Sequence, residues 1–340
     1  MIHKTDIAVI GAGPVGLFAV FECGMVGLKC QVIDALDAIG GQCSALYPEK
    51  PIYDIPGFPK ISGAGLVENL ETQAAPFAPV YHLSQRVEKL ERLPGDAGFR
   101  LVTSKDIVIE ARAVIIAAGA GAFGPNRPPL PGIEAYEGQP GGSGVQYLVR
   151  RAEDYRGKHI VIAGGGDSAV DWALMLHGIA AHIDFVHRRD QFRAAPESVA
   201  RLRALNGQGL DIVVPFQLDA LEDNGARLQA VLVKSLDSES RRLPADALLA
   251  FFGLRSELGP IAQWGLNVEH HHVPVDPATC QTSQPGIFAI GDIATYPGKL
   301  KLILTGFAEA ASAAHALYPL LHGGQPLHFE YSTSKGRPGA

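Results

Sequence analysis

Gly11-Ala-Gly13-Pro14-Val-Gly16 and Gly164-Gly-Gly166-Asp167-Ser168-Ala169 repeat one spacing of small residues in two distant parts of the chain. Small residues at this spacing allow a sharp turn, close approach of the backbone to a pyrophosphate, and close packing of a helix on a strand. Two such turns in one chain predict two dinucleotides held so that electrons can pass between them. The residues downstream of each turn distinguish the two sites. Asp34 ends the strand expected after the first, where a carboxylate accepts hydrogen bonds from a ribose diol. After the second come His187, Arg188, Arg189 and then Arg193. A planar guanidinium grips a 2′-phosphate through paired hydrogen bonds, whereas an NAD site offers a carboxylate there. The first turn therefore reads as an FAD site and the second as an NADP(H) site. The plainer alternatives are an ordinary tight turn and a solvated basic loop.

Such turns need a strand before them and a helix after them. Thr5–Ile10 is a short, β-branched apolar run, Val15–Met25 can form a helix, and Cys30–Asp34 reads as the next strand. His159–Ala163, Ser168–His177 and Ala181–Val186 repeat that order. Ala113–Gly119 is an apolar strand ending in small residues, and Pro125, Pro128, Pro129 and Pro131 then keep the chain extended. Ala247–Gly253 reads as the return crossing, followed by Gly286–Asp292 and a helix from Gly306 to Leu321. The predicted fold is α/β, with two Rossmann-like dinucleotide-binding domains, each three-layered around a parallel central sheet. An NADP domain (121–250) is inserted into an FAD domain (1–120 and 251–340).

Composition supports an ordered enzyme of two cores: 340 residues, 47% hydrophobic, 19% charged, with 39 glycines. A net charge of −6 argues against nucleic-acid binding and against a broad surface for anionic membranes. No long uncharged apolar run or secretory leader is evident, so the expected location is the cytoplasm. Cys23, Cys30, Cys43 and Cys280 form no CxxC pair and read as reduced thiols. His270, His271 and His272 alternate direction on an extended segment and read as a surface loop, so no metal is expected.

Gly11–Gly16, Ala113–Gly119, Gly164–Ala169, His187–Arg193 and Gly286–Asp292 together resemble the pyridine-nucleotide disulfide oxidoreductase superfamily. In length and domain order the chain resembles thioredoxin reductase of the low-molecular-weight type. That family carries a Cys-x-x-Cys dithiol shortly before its second fingerprint. Within the matching segment Gly144–Gly157, Leu148, Val149, Arg150 and Arg151 occupy the dithiol stretch. With no thiols there, no disulfide receives electrons, and thioredoxin reduction is contradicted. The chain is more similar, over essentially its whole length, to the thioredoxin-reductase-like ferredoxin–NADP reductases of bacteria. The matching stretches are Gly40–Lys50, Tyr53–Pro59, Gly164–Leu176, His187–Arg193 and Gly291–Lys299.

This resemblance implies FAD contacts at Asp34, Gln42, Tyr47, Val87, Phe123, Asp292 and Thr333. It also implies a C-terminal tail, His328–Ser334, on which Tyr331 covers the flavin of the partner subunit in a homodimer. Tyr47 and Tyr331 would then sandwich the ring, with no side-chain acid or base required. The implied activity moves electrons between NADP(H) and ferredoxin through FAD. Lys50, Lys299 and Lys301 are candidate docking cations for an acidic ferredoxin, although the plainer reading of each is a solvated surface charge. Flavodoxin or a quinone could replace ferredoxin, and an FAD-containing redox sensor is the other alternative. Cys43 is the one thiol near the flavin motif and has no evident resolving partner.

Overall fold

The computed structural model describes residues 2–225 and 227–328, except for the side chains of 96, 122, 123 and 254–256. The chain divides into two compact units. One joins the residues up to Phe123 with those from Ser256 onward, and the other is the continuous stretch Gly124–Arg255.

In the discontinuous unit, Val80–His82, Cys30–Ile33, Ile2–Ile10 and Val108–Ile116 lie side by side and parallel. Val108–Ile116 is long enough to serve two neighbours on its far edge. Val108–Ala111 pair antiparallel with Phe99–Thr103, which continues to Val87–Arg92. Val114–Ile116 pair in parallel with Ile287–Ala289, from the far end of the chain. The central strands bury both faces, as the near-continuous apolar runs require. Ile7, Val9, Ala113 and Ile115 pack against the helices Pro14–Met25 and Ile303–Leu321 through Ala19, Cys23, Ala310 and Ala314. Ala8, Val114 and Ile116 pack on the other face, with Leu258, Ile261 and Leu266. Ile303–Leu321 begins a turn earlier than the glycine at 306 predicts, because packing outweighs the helix penalty of one glycine.

The continuous unit holds a five-stranded parallel sheet in the order Gly144–Gln146, Ala247–Ala250, His159–Ala163, His182–Val186, Leu210–Val213. Side chains alternate across it. Ile160, Ile162 and Phe185 face the helices Asp167–Leu176 and Pro196–Ala204, through Trp172 and Leu202. Val161, Val186 and Val213 face an antiparallel layer built from Phe216–Asp223, Leu228–Ser235 and Ser240–Pro244. The unit is therefore three-layered, but one outer layer is a sheet rather than helices. Val149, in the stretch where a dithiol would stand, is fully buried in the helix-side core. No helix among the described residues is long and apolar enough to cross a membrane.

Candidate functional site

The first strand ends at Ile10, and the chain turns at Gly11 with φ +111°. A Cβ on Gly11 would lie 2.3 Å from the Ala117 carbonyl oxygen, and one on Gly16 would lie 2.0 Å from the Gly11 carbonyl oxygen. Only glycine lets the helix start this close to the turn. The helix Pro14–Met25 has Gly13 as its N-cap, no side-chain cap, and proline in its first turn. Its first N–H groups and positive dipole end are left for an anion. This helix start opens on a cleft of about 310 Å³.

Gly11, Gly13, Pro14, Asp34, Gln42, Tyr47, Val87 and Asp292 all line that cleft. The structure thus brings together most of the residues expected to hold FAD; Gly16 acts behind them, in packing. Asp34 Oδ2 accepts from the Ala12 N–H at 2.6 Å and Oδ1 from the Leu36 N–H at 2.8 Å. Burial pushes its pKa up while these backbone donors oppose the shift. The carboxylate braces the turn and keeps lone pairs for a ligand. The Cys43 thiol donates to the Tyr47 hydroxyl at 3.7 Å. Burial raises both groups, and each is raised further by the negative charge of Asp292. These effects bias Cys43 toward its protonated thiol, the less reactive form. The side chain of Phe123, together with Tyr331 and Thr333, lies outside the described residues.

Gln85, Arg86, Leu258, Trp264, Leu302 and Ile303 also line the cleft, and no signal in the sequence marks them. They lie outside any motif and reach the cleft only through sheet and helix packing. Trp264 leaves its indole N–H buried with no partner among the described residues. Lys299 requires a correction. It reads in the sequence as a surface cation for an acidic partner, but its ammonium is paired with Glu309, their side chains 5% and 4% exposed. Lys301 is exposed, with Nζ 2.8 Å from His272 Nε2. His270–His272 form part of a turn closed by mutual 2.8 Å backbone hydrogen bonds between Glu269 and His272.

The second fingerprint is tied to its basic loop. The Arg193 N–H donates to the Gly165 carbonyl at 2.7 Å, and the Ala195 N–H to Asp167 Oδ1 at 2.9 Å. The His187 ring lies against Gly165, where a Cβ would come within 2.4 Å of it. Gly166 is the N-cap of Asp167–Leu176 with no side-chain cap, Ser168 is exposed in the first turn, and Ala169 is buried beneath it. Arg188, Arg189 and Arg193 are exposed. None of them is ion-paired among the described residues, whereas Arg203 binds Asp190 at 2.7 Å. Burial lowers the pKa of His187, and Arg188, Arg193 and Arg189 lower it further. All three arginines are thus close enough to His187, which lies against Gly165 of the glycine turn, to act on its charge.

One grouping among the described residues has metal-ligand chemistry and was invisible in the spacing, because two strands bring it together. His182 Nε2 lies 3.6 Å from Asp184 Oδ1 and 3.5 Å from Asp211 Oδ2. Burial pushes the Asp184 carboxyl up, opposed by His182.

A family model described as pyridine nucleotide-disulphide oxidoreductase matches residues 5–315. A ferredoxin–NADP reductase of Granulibacter bethesdensis is 61% identical, over 99% of this chain and 95% of its own length. One from Paramagnetospirillum magneticum is 60% identical, over 99% and 98%. The fold is similar to that of Lactococcus lactis thioredoxin reductase, with a TM-score of 0.77 at 24% identity, covering 94% of this chain and 100% of that one. The chain belongs to the pyridine nucleotide-disulphide oxidoreductase family and, within it, to the group formed by these ferredoxin–NADP reductase relatives.

Proposed function

We propose that this chain is a flavoenzyme that transfers electrons between NADP(H) and ferredoxin through FAD. The observation that carries the reading is one pairing. An uncapped glycine turn braced by Asp34 stands in one unit, and a second turn beside three arginines, unpaired among the described residues, stands in the other. The donor set of the first cleft fits FAD. Backbone N–H groups at the helix start suit the pyrophosphate, Asp34 a ribose, and Asp292 a further hydroxyl. Gln42 can donate and accept at a polar ring edge, and Tyr47 offers an aromatic face. The Trp264 N–H, buried without a partner among the described residues, marks a polar demand left unmet. When bound, FAD supplies acceptance of a hydride equivalent and release of electrons one at a time.

The chain's own residues bind, orient and exclude. Arg188, Arg189 and Arg193 hold the 2′-phosphate, and the helix start at Gly166 takes the pyrophosphate of the second nucleotide. Val149 is buried in the stretch where a dithiol would stand, and burial biases Cys43 toward its protonated form, which argues against a thiol relay. The name of the close relatives supports ferredoxin as the electron partner. A homodimer is supported by Leu300, Leu302 and Leu304, which are apolar and exposed beside the cleft. A cytoplasmic location is supported by four buried, free cysteines.

The test is stopped-flow mixing of FAD-loaded protein with NADPH and then with oxidised ferredoxin. Fast bleaching followed by fast ferredoxin reduction is expected. Bleaching with transfer only to a flavodoxin or a quinone would refute ferredoxin as the partner. Absence of bleaching would refute the enzyme reading.

A further inference from the structure

We propose that Glu309 is a positioning residue for the cofactor, holding the turn that carries Asp292 at the mouth of the cleft. The inference rests on the FAD reading of that cleft. Glu309 lies on the helix Ile303–Leu321, yet its carboxylate is buried against the loop that precedes this helix. Oε2 accepts from the Gly291 N–H at 2.7 Å, and Oε1 accepts from the Tyr296 hydroxyl at 2.7 Å and from the Lys299 ammonium. One side chain thus binds three points of a single loop. Both ends of that loop line the cleft, Gly291 and Asp292 at its start and Leu302 at its end, as does Ile303, the first residue of the helix.

A buried ion pair is weak evidence for stability, because apolar residues of similar volume often do as well in that place. The pairing therefore calls for a role beyond core packing, and the Gly291 contact supplies one. Gly291 has φ +74° and begins the one-turn helix Gly291–Ile293 that presents Asp292. Its N–H is satisfied by Glu309, and an unsatisfied buried donor would favour a different turn. One helical turn before Glu309, Gly306 lies where a Cβ would strike Val15 at 2.4 Å and meet the Gly291 Cα at 3.4 Å. Val15 itself lines the cleft. Glu309 and Gly306 share a face, so the last helix presses on the fingerprint helix at one turn and ties the Asp292 turn at the next. Lys299 neutralises Glu309 and lets a carboxylate do this work out of water.

Two double variants separate positioning from packing. Glu309→Gln with Lys299→Met removes both charges but keeps an amide oxygen for the Gly291 N–H. Glu309→Leu with Lys299→Met keeps the bulk and removes the acceptor. The dissociation constant for FAD is measured by fluorescence titration of each apoprotein, alongside visible circular dichroism of the bound flavin and apoprotein stability. The Gln pair is expected to bind within about threefold of the unsubstituted protein, and the Leu pair roughly tenfold or more weakly with an altered flavin spectrum. Equal affinity and spectrum in both pairs would overturn the inference, as would a loss of affinity that merely tracks apoprotein stability. Failure of the unsubstituted apoprotein to take up FAD would instead overturn the cofactor reading, and this inference with it.

Discussion

Replacing Arg188 and Arg189 together with alanine tests the NADP(H) assignment most directly. Both side chains are exposed, unpaired among the described residues, and near enough to His187 to depress its pKa. Neither substitution removes a structural contact among the described residues, so the fold and FAD content should be unchanged. A charge-assisted hydrogen bond to phosphate contributes about 1.5–3 kcal/mol when shielded from water, and exposure moves each arginine to the low end. Roughly tenfold per arginine is the result, and up to about a hundredfold for the pair. Because NADH lacks the 2′-phosphate, its affinity should change by less than about threefold, so the loss falls on the NADPH/NADH ratio. The assay is stopped-flow flavin reduction over a range of NADPH and NADH concentrations, yielding a dissociation constant for each. Raising the salt should weaken NADPH binding to the unsubstituted protein more than to the variant, since its contacts are exposed and screened. An unchanged NADPH/NADH ratio would refute the assignment, whatever happened to the overall rate.

Gly165→Ala places a methyl group 2.4 Å from the His187 ring and should weaken NADPH binding while FAD content stays constant, which a bound-flavin absorbance titration will show. His187 has a lowered pKa in the ligand-free protein, and a bound phosphate opposes the arginine repulsion and raises it. NADPH binding then takes up a proton, so affinity should rise as pH falls through the histidine range, and His187→Asn should reduce that slope in calorimetric titrations at several pH values. Asp184 has a folded-state pKa above its ordinary value, so its stability contribution is present at low pH and lost as pH rises through the folded value. Asp184→Asn should therefore raise Tm by a few degrees at pH 7, with the gain shrinking toward pH 4 in a thermal-denaturation series.

Sequence alone was enough for the parts of this protein that depend on neighbours along the chain. The strand–turn–helix order around Gly11 and Gly164, the acid at Asp34 and the arginines after His187 are local patterns, because a tight turn and the strand end beside it lie within one βαβ unit. The two-unit α/β class was legible for the same reason, through short apolar runs that read as buried strands. Element ends shifted by a few residues where packing outweighed local preference, as at Gly306. The antiparallel layer from Phe216 to Pro244 went unread because its strands alternate irregularly and carry charge on their open face.

Tertiary structure alone decided what depends on distant segments meeting. Leu258, Trp264, Leu302 and Ile303 join the cleft because Ile287–Ala289 pairs with Val114–Ile116 and draws the end of the chain onto the first sheet. Lys299 in isolation reads as a solvated cation, since a lysine is seldom buried unless paired. Its partner Glu309 lies on a helix whose buried face is known only once that helix packs on Pro14–Met25. Short-range chemistry, written in consecutive residues, thus named the cofactors. Which side chains hold the Asp292 turn is a long-range property, set by burial that no single segment encodes.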